Sequence, residues 1–381
     1  MSFLGNDAIN RVTLHATVQA LAQGAGGVFV FVYLLKAGVP TPLVLCTVAA
    51  MTAGRFVLRP LVLIVARRRG LRATLMLGTV LEAAIFPLLA SVHGPGAMLA
   101  LIIAVGAFGS VFYWTSLHAY TALLGDAENR GRQVGLRAAA GAVANIAAPW
   151  AGGWALTALG PAATFGLVAV VQVLAIVPLL GMPSPRVAES APRGSRDLRM
   201  AVILQASDGW FGAGFYYVWQ IALFLTLGQH FAAYGGAMAL AGLVGAGASL
   251  VVGRFVDLGH GRMSVFVAYG ACALVVGLQA ASLHSPALAV AANALATVAA
   301  MLLEPVMMTP VYNLAKASPC PLRFHMATEG GWDIGCGAAC LTAAALTAAH
   351  TPLSVSILLA LGGAAVGFWL LLRSYSARMW V

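Results

Sequence analysis

Ionisable side chains recur at helical spacing in one apolar stretch near the C-terminus. The stretch reads "HMATEGGWDIGCGAAC", in which His325, Glu329, Asp333, Cys336 and Cys340 follow one another at intervals of four, four, three and four residues. In a helix this spacing places all five side chains on one face. Imidazole, carboxylate and thiol groups on one face can carry protons, form ion pairs or coordinate a soft metal ion. The stripe therefore predicts a helix face with a chemical role.

Other ionisable side chains stand inside earlier apolar stretches. Arg55 and Arg59 are four residues apart, so a helix would present them on one face. The stretch "QASDGWFGAGFYYVWQ" sets Asp208 before Trp210 and Tyr216, among several glycines. An acid beside aromatic rings suits a cavity wall that stacks on a flat or cationic ligand.

The composition indicates a chain that faces lipid. Of 381 residues, 61% are hydrophobic and 8% are charged, and the mean hydropathy is +0.91. A soluble domain carries about 25% charged residues, which this chain lacks. The net charge of +10 is spread over short basic clusters between apolar runs, which favours membrane topology over nucleic-acid binding. The five cysteines mostly fall inside apolar runs, so no disulfide framework is expected.

Runs of apolar residues recur at the length of a membrane span. Such a span needs about 20 predominantly apolar residues. Suitable runs, broken by Gly, Pro or charge, cover 9–36, 41–66, 72–93, 96–124, 133–159, 161–182, 200–228, 231–257, 263–284, 286–315, 323–349 and 352–373. The sequence therefore predicts an all-α integral membrane protein with twelve transmembrane helices, here called spans 1 to 12.

Basic residues alternate between the two ends of these spans. The connections after spans 2, 4, 6, 8 and 10 carry Arg or Lys, whereas those after spans 3, 5, 7, 9 and 11 carry none. The positive-inside rule then places the basic loops and both termini in the cytoplasm. We expect a multi-pass protein of the cell (inner) membrane, without a cleaved signal peptide.

A single long polar segment, "PSPRVAESAPRGSRDLR", follows span 6. Its Pro, Ser and Arg content is typical of a flexible linker. The chain is thus predicted to comprise an N-terminal six-helix bundle (1–182), a cytoplasmic linker (183–199) and a C-terminal six-helix bundle (200–381).

This organisation resembles the major facilitator superfamily over the whole chain. The stretch "GRFVDLGHGR" at the end of span 8 is similar to the loop motif of that family, with Asp257 as its acidic residue. In span 5, Gly135, Ala144 and "APWAGG" resemble a motif common in proton-driven exporters of the family. The resemblance implies the family's fold and alternating access, and it gives export a modest preference. Span 4 lacks the arginine that those exporters carry.

The resemblance also implies contacts between charged residues. Helices 2 and 11 of the family meet at the seam between the bundles, and Arg59 lies at about the depth of Glu329, as Arg55 does with Asp333. We predict pairs Arg59–Glu329 and Arg55–Asp333, which close the cytoplasmic half and loosen when the carboxylates bind protons. The alternatives are a static Arg55–Glu82 pair within one bundle and direct binding of an anionic substrate by the arginines.

Spans 1, 4, 7 and 10 line the cavity in the family, which implies inward positions for their polar and aromatic residues. The candidate substrate-binding residues are Gln19, Arg55, Trp114, His118, Asp208, Trp210, Tyr216 and Glu304. The candidates for proton coupling or gating are Asp208, Glu304, Arg55, Arg59, Glu82, Glu329, Asp333 and Asp257.

The leading functional prediction is a secondary active transporter that moves a small organic solute by alternating access, coupled to protons. The alternatives are a transition-metal exporter that uses the stripe of span 11 and an uncoupled organic-anion facilitator. No catalytic motif stands in a suitable context, so an enzyme is not expected. The expected partners are a small-molecule solute, protons and the lipid bilayer; no cofactor, metal or nucleic acid is assigned, and a monomer is expected.

Overall fold

The computed structural model describes residues 7–124, 130–184, 196–256 and 261–376, and it contains no β-strand in these ranges. The helices of the N-terminal half are α1 (Asp7–Ala25), α2 (Val30–Lys36), α3 (Thr41–Ala90), α4 (Ala97–Leu124), α5 (Arg130–Ala158) and α6 (Gly160–Leu174). Short 3-10 turns, Gly27–Phe29 and Val177–Leu179, join α1 to α2 and follow α6.

Among the described residues, eight further helices lie in the C-terminal half. Its helices are α7 (Arg196–Gly212), α8 (Trp219–Thr226), α9 (Phe231–Val256), α10 (Gly261–Ala281), α11 (Pro286–Ala317), α12 (Pro321–Ala348), α13 (Leu353–Leu358) and α14 (Ala360–Ser376). A π-helical segment, Ala213–Val218, connects α7 to α8.

Proline and glycine mark the ends of these helices. Pro286 and Pro321 each occupy the first turn of a helix, where the missing backbone N–H costs nothing. Ser285 caps α11, because its side-chain oxygen accepts a hydrogen bond from Leu288 N. Gly70 interrupts α3 with a φ of 82°, a left-handed value that glycine adopts readily. The break coincides with the cluster Arg67–Arg69, and the end of the protein that carries this cluster is called the basic end below.

The number of apolar helices differs from the predicted number of spans. In the described ranges, eight helices are long and apolar enough to cross a membrane, so the count of twelve is not reproduced. Spans 2 and 3 both lie in α3, as two helical parts that meet at the break at Gly70, and counting them together removes one from the number. Spans 5, 7 and 11 are not among the eight. Span 7 is divided by the π-helical segment, and span 11 contains charged residues and many glycines that lower its hydropathy.

The outer surface of the helices is apolar. Val57, Trp150 and Leu274 are exposed by 73%, 62% and 76%, and many other large apolar side chains are exposed along the helices. Soluble monomers rarely expose apolar patches of this extent. Because a helix satisfies its own backbone hydrogen bonds, such a surface is stable against lipid.

A buried core joins the two halves away from the basic end. The aromatic ring of Phe29 packs against Phe231 and Tyr234, and the Tyr234 hydroxyl donates to Val28 O. Nearby, α5 and α9 cross at glycines. A Cβ atom added to Gly235 would collide with Pro149 O, because the two backbones leave no room for it. Close approach of small residues is the usual way in which helices associate in lipid.

The close approach of α5 and α9 at Gly235 can be tested by substitution, with the neighbouring Gly236 as the control. The substitution Gly235→Val should lower the free energy of unfolding by about 1–3 kcal/mol, because the side chain would overpack the crossing. A Cβ atom added to Gly236 would meet no other atom within 4 Å, so Gly236→Val should leave the unfolding midpoint in detergent nearly unchanged. Equal thermal midpoints for the two variants would contradict the close approach.

Candidate functional site

A buried group of charges joins α3 to α12. Arg59 Nη1 lies 2.8 Å from Glu329 Oε2, and Arg59 Nη2 forms an ion pair with Asp333 Oδ2. Thr115 of α4 completes the group: its hydroxyl accepts from Arg59 Nη1 at 3.2 Å and donates to Glu329 Oε2 at 2.8 Å. Arg59, Glu329 and Asp333 are all buried. Residues Arg55, Arg59, Thr115, Glu329 and Asp333 are called the seam cluster below.

Arg55 is the more loosely held of the two arginines. Its Nε lies 3.1 Å from Asp333 Oδ1, which is an ion-pair distance, but the N–H is not aligned for a hydrogen bond. The guanidinium also lies over the ring of Trp332, 5.4 Å from the centroid, in a cation–π contact. Arg55 therefore keeps N–H groups that the seam cluster does not use.

The seam cluster balances its own charge. Two guanidinium groups face two carboxylates, so it is neutral when all four are ionised. Glycines bring the helices close enough for these contacts: a Cβ atom on Gly337 of α12 would lie 2.9 Å from Thr52 Oγ1 of α3. Both predicted pairs thus lie at ion-pair distance, and Arg59 makes a further contact with Asp333 that was not predicted.

The alternative pair of Arg55 with Glu82 does not form among the described residues. Glu82 Oε2 instead accepts hydrogen bonds from three glutamine amides: Gln19 at 2.5 Å, Gln172 at 3.2 Å and Gln23 at 3.4 Å. Glu82 is therefore held by neutral donors within the N-terminal half.

A cavity of about 420 Å³ lies beside the seam cluster, between the two halves. It is called the acidic cavity, because Asp208 of α7 and Glu304 of α11 line it. Asp208 accepts a hydrogen bond from the indole N–H of Trp332 at 3.0 Å. Its aromatic wall contains Trp114, Tyr216, Tyr217, Tyr312 and Trp332, together with His118.

Asp208 and Glu304 differ from Glu329, the third carboxylate on this cavity, which pairs with Arg59. No Lys or Arg in the described ranges lies within ion-pair distance of Asp208 or Glu304. Arg55 also lines the cavity, but it lies beside Asp333. The cavity therefore presents unbalanced negative charge between aromatic rings, an arrangement that attracts cations.

The acidic cavity gathers most of the predicted substrate-binding residues. It is lined by Arg55, Trp114, His118, Asp208, Tyr216 and Glu304. Gln19 lies elsewhere, on a second cavity of about 610 Å³ that also reaches Trp114 and Tyr217. Trp210 lines neither cavity; its indole N–H donates to Leu359 O at 2.9 Å. Asp257 lies outside the described residues.

Several residues of the site were not identified from the sequence. Gln205 lies three residues before Asp208, and Tyr312 lies eight after Glu304, so helical spacing could have indicated both as cavity residues. His118 Nδ1 lies 3.2 Å from the Tyr312 hydroxyl. Thr115 carries no such signal, because threonine is common in apolar helices and its role depends on the helix opposite.

The described residues contain no group of three or more His, Cys, Asp or Glu side chains that could hold a metal ion. Glu329 and Asp333 face arginines, and Cys336 and Cys340 pack in an apolar cluster with Val48. The stripe of α12 thus supplies ion pairs and packing, and the metal-exporter alternative finds no site in these ranges.

Comparison with solved structures shows the fold. A POT family transporter in complex with 5-aminolevulinic acid is similar with a TM-score of 0.76 and 11% identity, over 99% of this chain and 98% of that one. The human organic anion transporter MFSD10 (TETRAN) is similar with a TM-score of 0.68 and 16% identity, over 96% of this chain and 99% of that one. A mutant of the nucleoside transporter NupG is similar with a TM-score of 0.67 and 14% identity, over 96% of this chain and 99% of that one.

A search of curated proteins returned no match. The sequence profile of the Major Facilitator Superfamily, however, matches residues 16–319, which is most of the chain. The helices, the apolar exterior and the cavity between two halves agree with that match. The chain therefore belongs to the major facilitator superfamily, and it is a membrane transporter rather than an enzyme.

Proposed function

We propose that the chain is a secondary active transporter that moves a small organic solute by alternating access and is driven by protons. Twelve spans would form two six-helix bundles (1–182 and 200–381), joined by the linker 183–199. The basic loops and both termini would face the cytoplasm from the inner membrane. The single observation that carries this proposal is a charge-neutral seam cluster beside a cavity with unbalanced carboxylates.

The seam cluster would act as the cytoplasmic clamp between the bundles. Arg59 lies eight residues from the cluster that begins at Arg67, so the clamp belongs to the basic end. Protonation of Glu329 or Asp333 would leave a buried positive charge without compensation, which is costly. Separation of α3 from α12 would relieve that cost by admitting water. Proton binding and opening of the cytoplasmic side would thereby be linked.

The acidic cavity would bind the solute. A carboxylate such as Asp208 or Glu304 attracts a cationic group while it is ionised and loses that attraction when it binds a proton. Protons and a cationic solute would therefore compete for these side chains. Such competition produces exchange, in which entry of protons drives exit of the solute. The preference for export rests otherwise on the resemblance of span 5 to exporters.

We infer that the preferred solute is an organic cation with an aromatic or apolar body. The unpaired charges of the cavity are carboxylates, and its walls are aromatic. An organic anion is the second candidate, because Arg55 lines the cavity and keeps unused N–H groups. The likeness to an organic anion transporter is compatible with that candidate.

Two small aromatic ions of opposite charge separate these candidates. Benzyltrimethylammonium should raise the unfolding temperature of the purified protein, and phenylmethanesulfonate should not. A ligand at about a hundred times its Kd stabilises by about 2.7 kcal/mol if it binds only the folded state. The cation-induced shift should vanish in Asp208→Asn and persist in Arg55→Gln.

Asp197→Asn is the matched control, because Asp197 is exposed at the start of the same helix, α7. This variant should keep the full cation-induced shift. Stabilisation by the sulfonate alone, lost in Arg55→Gln, would overturn the cation assignment and favour an organic-anion carrier.

If the seam cluster acts as a clamp, substitutions of its charged residues should lower the free energy of unfolding non-additively. Arg59→Gln and Glu329→Gln each leave the seam cluster with an unbalanced buried charge, and each should lower the free energy of unfolding by about 3 kcal/mol. The double variant is neutral again, so its loss should fall short of the sum by about 1 kcal/mol or more. Chemical unfolding of the four proteins in detergent measures both quantities.

Asp7 and Arg11 provide the control pair, since they are exposed and 2.8 Å apart on α1. Asp7→Asn should change stability by about 0.5 kcal/mol or less. Strictly additive losses for Arg59→Gln and Glu329→Gln would show that the two residues act independently, against the proposed clamp.

A further inference from the structure

Glu82 is a buried carboxyl whose surroundings differ from those of every other acid described above. It lies in the second half of α3 and is 6% exposed. Gln19 and Gln23 of α1 and Gln172 of α6 direct their amide nitrogens at one of its oxygens. On α4, Gly109 packs directly against it: a Cβ atom there would lie 2.8 Å from Glu82 N. Four helical segments thus enclose this side chain.

In the described part of the chain, no Lys or Arg lies within ion-pair distance of Glu82. Arg55 is close enough to act on it electrostatically, but its ion-pair contact is with Asp333. His15, one helical turn before Gln19, directs Nδ1 at Ala175 O at 2.7 Å. The contacts from α4 and α6 come from Gly109 and Gln172, which do not ionise. Among the described residues, the hydrogen-bond donors to this carboxylate are neutral amides.

The same surroundings can accommodate the protonated acid. The amide oxygens of Gln19 and Gln172 are buried and have no hydrogen-bond partner. A half-turn of either amide group would present its oxygen to the carboxyl, which could then donate its O–H to that oxygen. Amide side chains offer donors to the ionised form and acceptors to the neutral form, so Glu82 can be satisfied in both states.

The second cavity, the one lined by Gln19, lies next to Glu82, with glutamine side chains between them. Gln19 and Gln23 line the cavity of about 610 Å³, and both donate to Glu82 from the other side. Glu82 therefore lies one side chain behind the cavity wall, where water in the cavity can exchange a proton with it while the solute cannot touch it.

We propose that Glu82, with Gln19, Gln23 and Gln172, forms a proton-binding site in the N-terminal half, separate from the seam cluster and the acidic cavity. It takes up and releases one proton through the cavity that Gln19 and Gln23 line. In the observed orientation the amide nitrogens face the carboxyl, so a metal cation would need the amide groups turned the other way and is made an outcome of the test. The site deepens the proposed proton-driven function and rests on it for its biological role, but proton binding itself can be measured without any solute.

Infrared difference spectroscopy of the full chain in lipid tests the site. Between acidic and alkaline buffer, the wild type should show a carboxylic-acid C=O band that appears with protonation and is absent in Glu82→Gln. Glu304→Gln is the control and should keep this band. Identical difference spectra for the wild type and Glu82→Gln would overturn the proposal, since Glu82 would then keep one protonation state throughout. Loss of the band on addition of sodium at constant pH would also overturn it, in favour of a cation site.

The glutamines give a second, independent test. Gln19→Leu removes the closest donor to the carboxylate, so the midpoint of the Glu82 band should move to higher pH. Gln279→Leu is the matched control, because Gln279 is equally buried but lies in α10 and contacts Phe215 O. An unchanged midpoint in Gln19→Leu would overturn the role assigned to the amides.

Solute transport in proteoliposomes separates the site from the proposed function. A band that titrates as expected, in a protein that moves no solute along a proton gradient, would leave the site intact and refute proton-driven transport. Proton-driven transport without a Glu82 band would refute the proton-binding site and leave the proposed function intact.

Discussion

The cost of placing charge in an apolar medium governs this structure. An ionisable side chain at the centre of a bilayer costs about 2.5–3.5 kcal/mol on insertion scales unless it finds compensation. The chain compensates in three ways. The seam cluster pairs Arg55 and Arg59 with two carboxylates, Glu82 is surrounded by amides, and Asp208 faces a cavity. Each arrangement permits a different change: the ion pairs can separate, the amide groups can rotate, and the cavity can exchange its occupant.

The two halves are joined by contacts of different physical kinds. Where α5 crosses α9, glycines such as Gly235 bring backbones together, and dispersion forces between fixed surfaces hold the crossing. Between α3 and α12, charges hold the contact, and its strength depends on whether Glu329 and Asp333 are ionised. In the proposed mechanism, protons act on the second contact and not on the first.

Much of the fold followed from apolar periodicity, with Gly and Pro as boundaries, but the site followed only in part. Counting residues from the predicted cytoplasmic ends of the two spans placed Arg59 and Glu329 at similar depth, and the two side chains do lie 2.8 Å apart. The contacts of Thr115 and Gln172 depend on which helices are neighbours, which one sequence does not specify. Trp210, predicted to bind the solute, lies two residues after Asp208 and therefore on the opposite side of α7, where its indole N–H donates to Leu359 O.

The central claim, that the ionised seam cluster holds the cytoplasmic ends of the bundles together, is tested most directly by a distance. Spin labels at Arg69→Cys and Lys316→Cys, both exposed at the basic end, would report the separation of the halves. A Cys46→Ala background suffices, since the other four cysteines are buried. The account predicts that Glu329→Gln with Asp333→Asn shifts the distance distribution to longer values. A distribution identical to that of the intact cluster would contradict it.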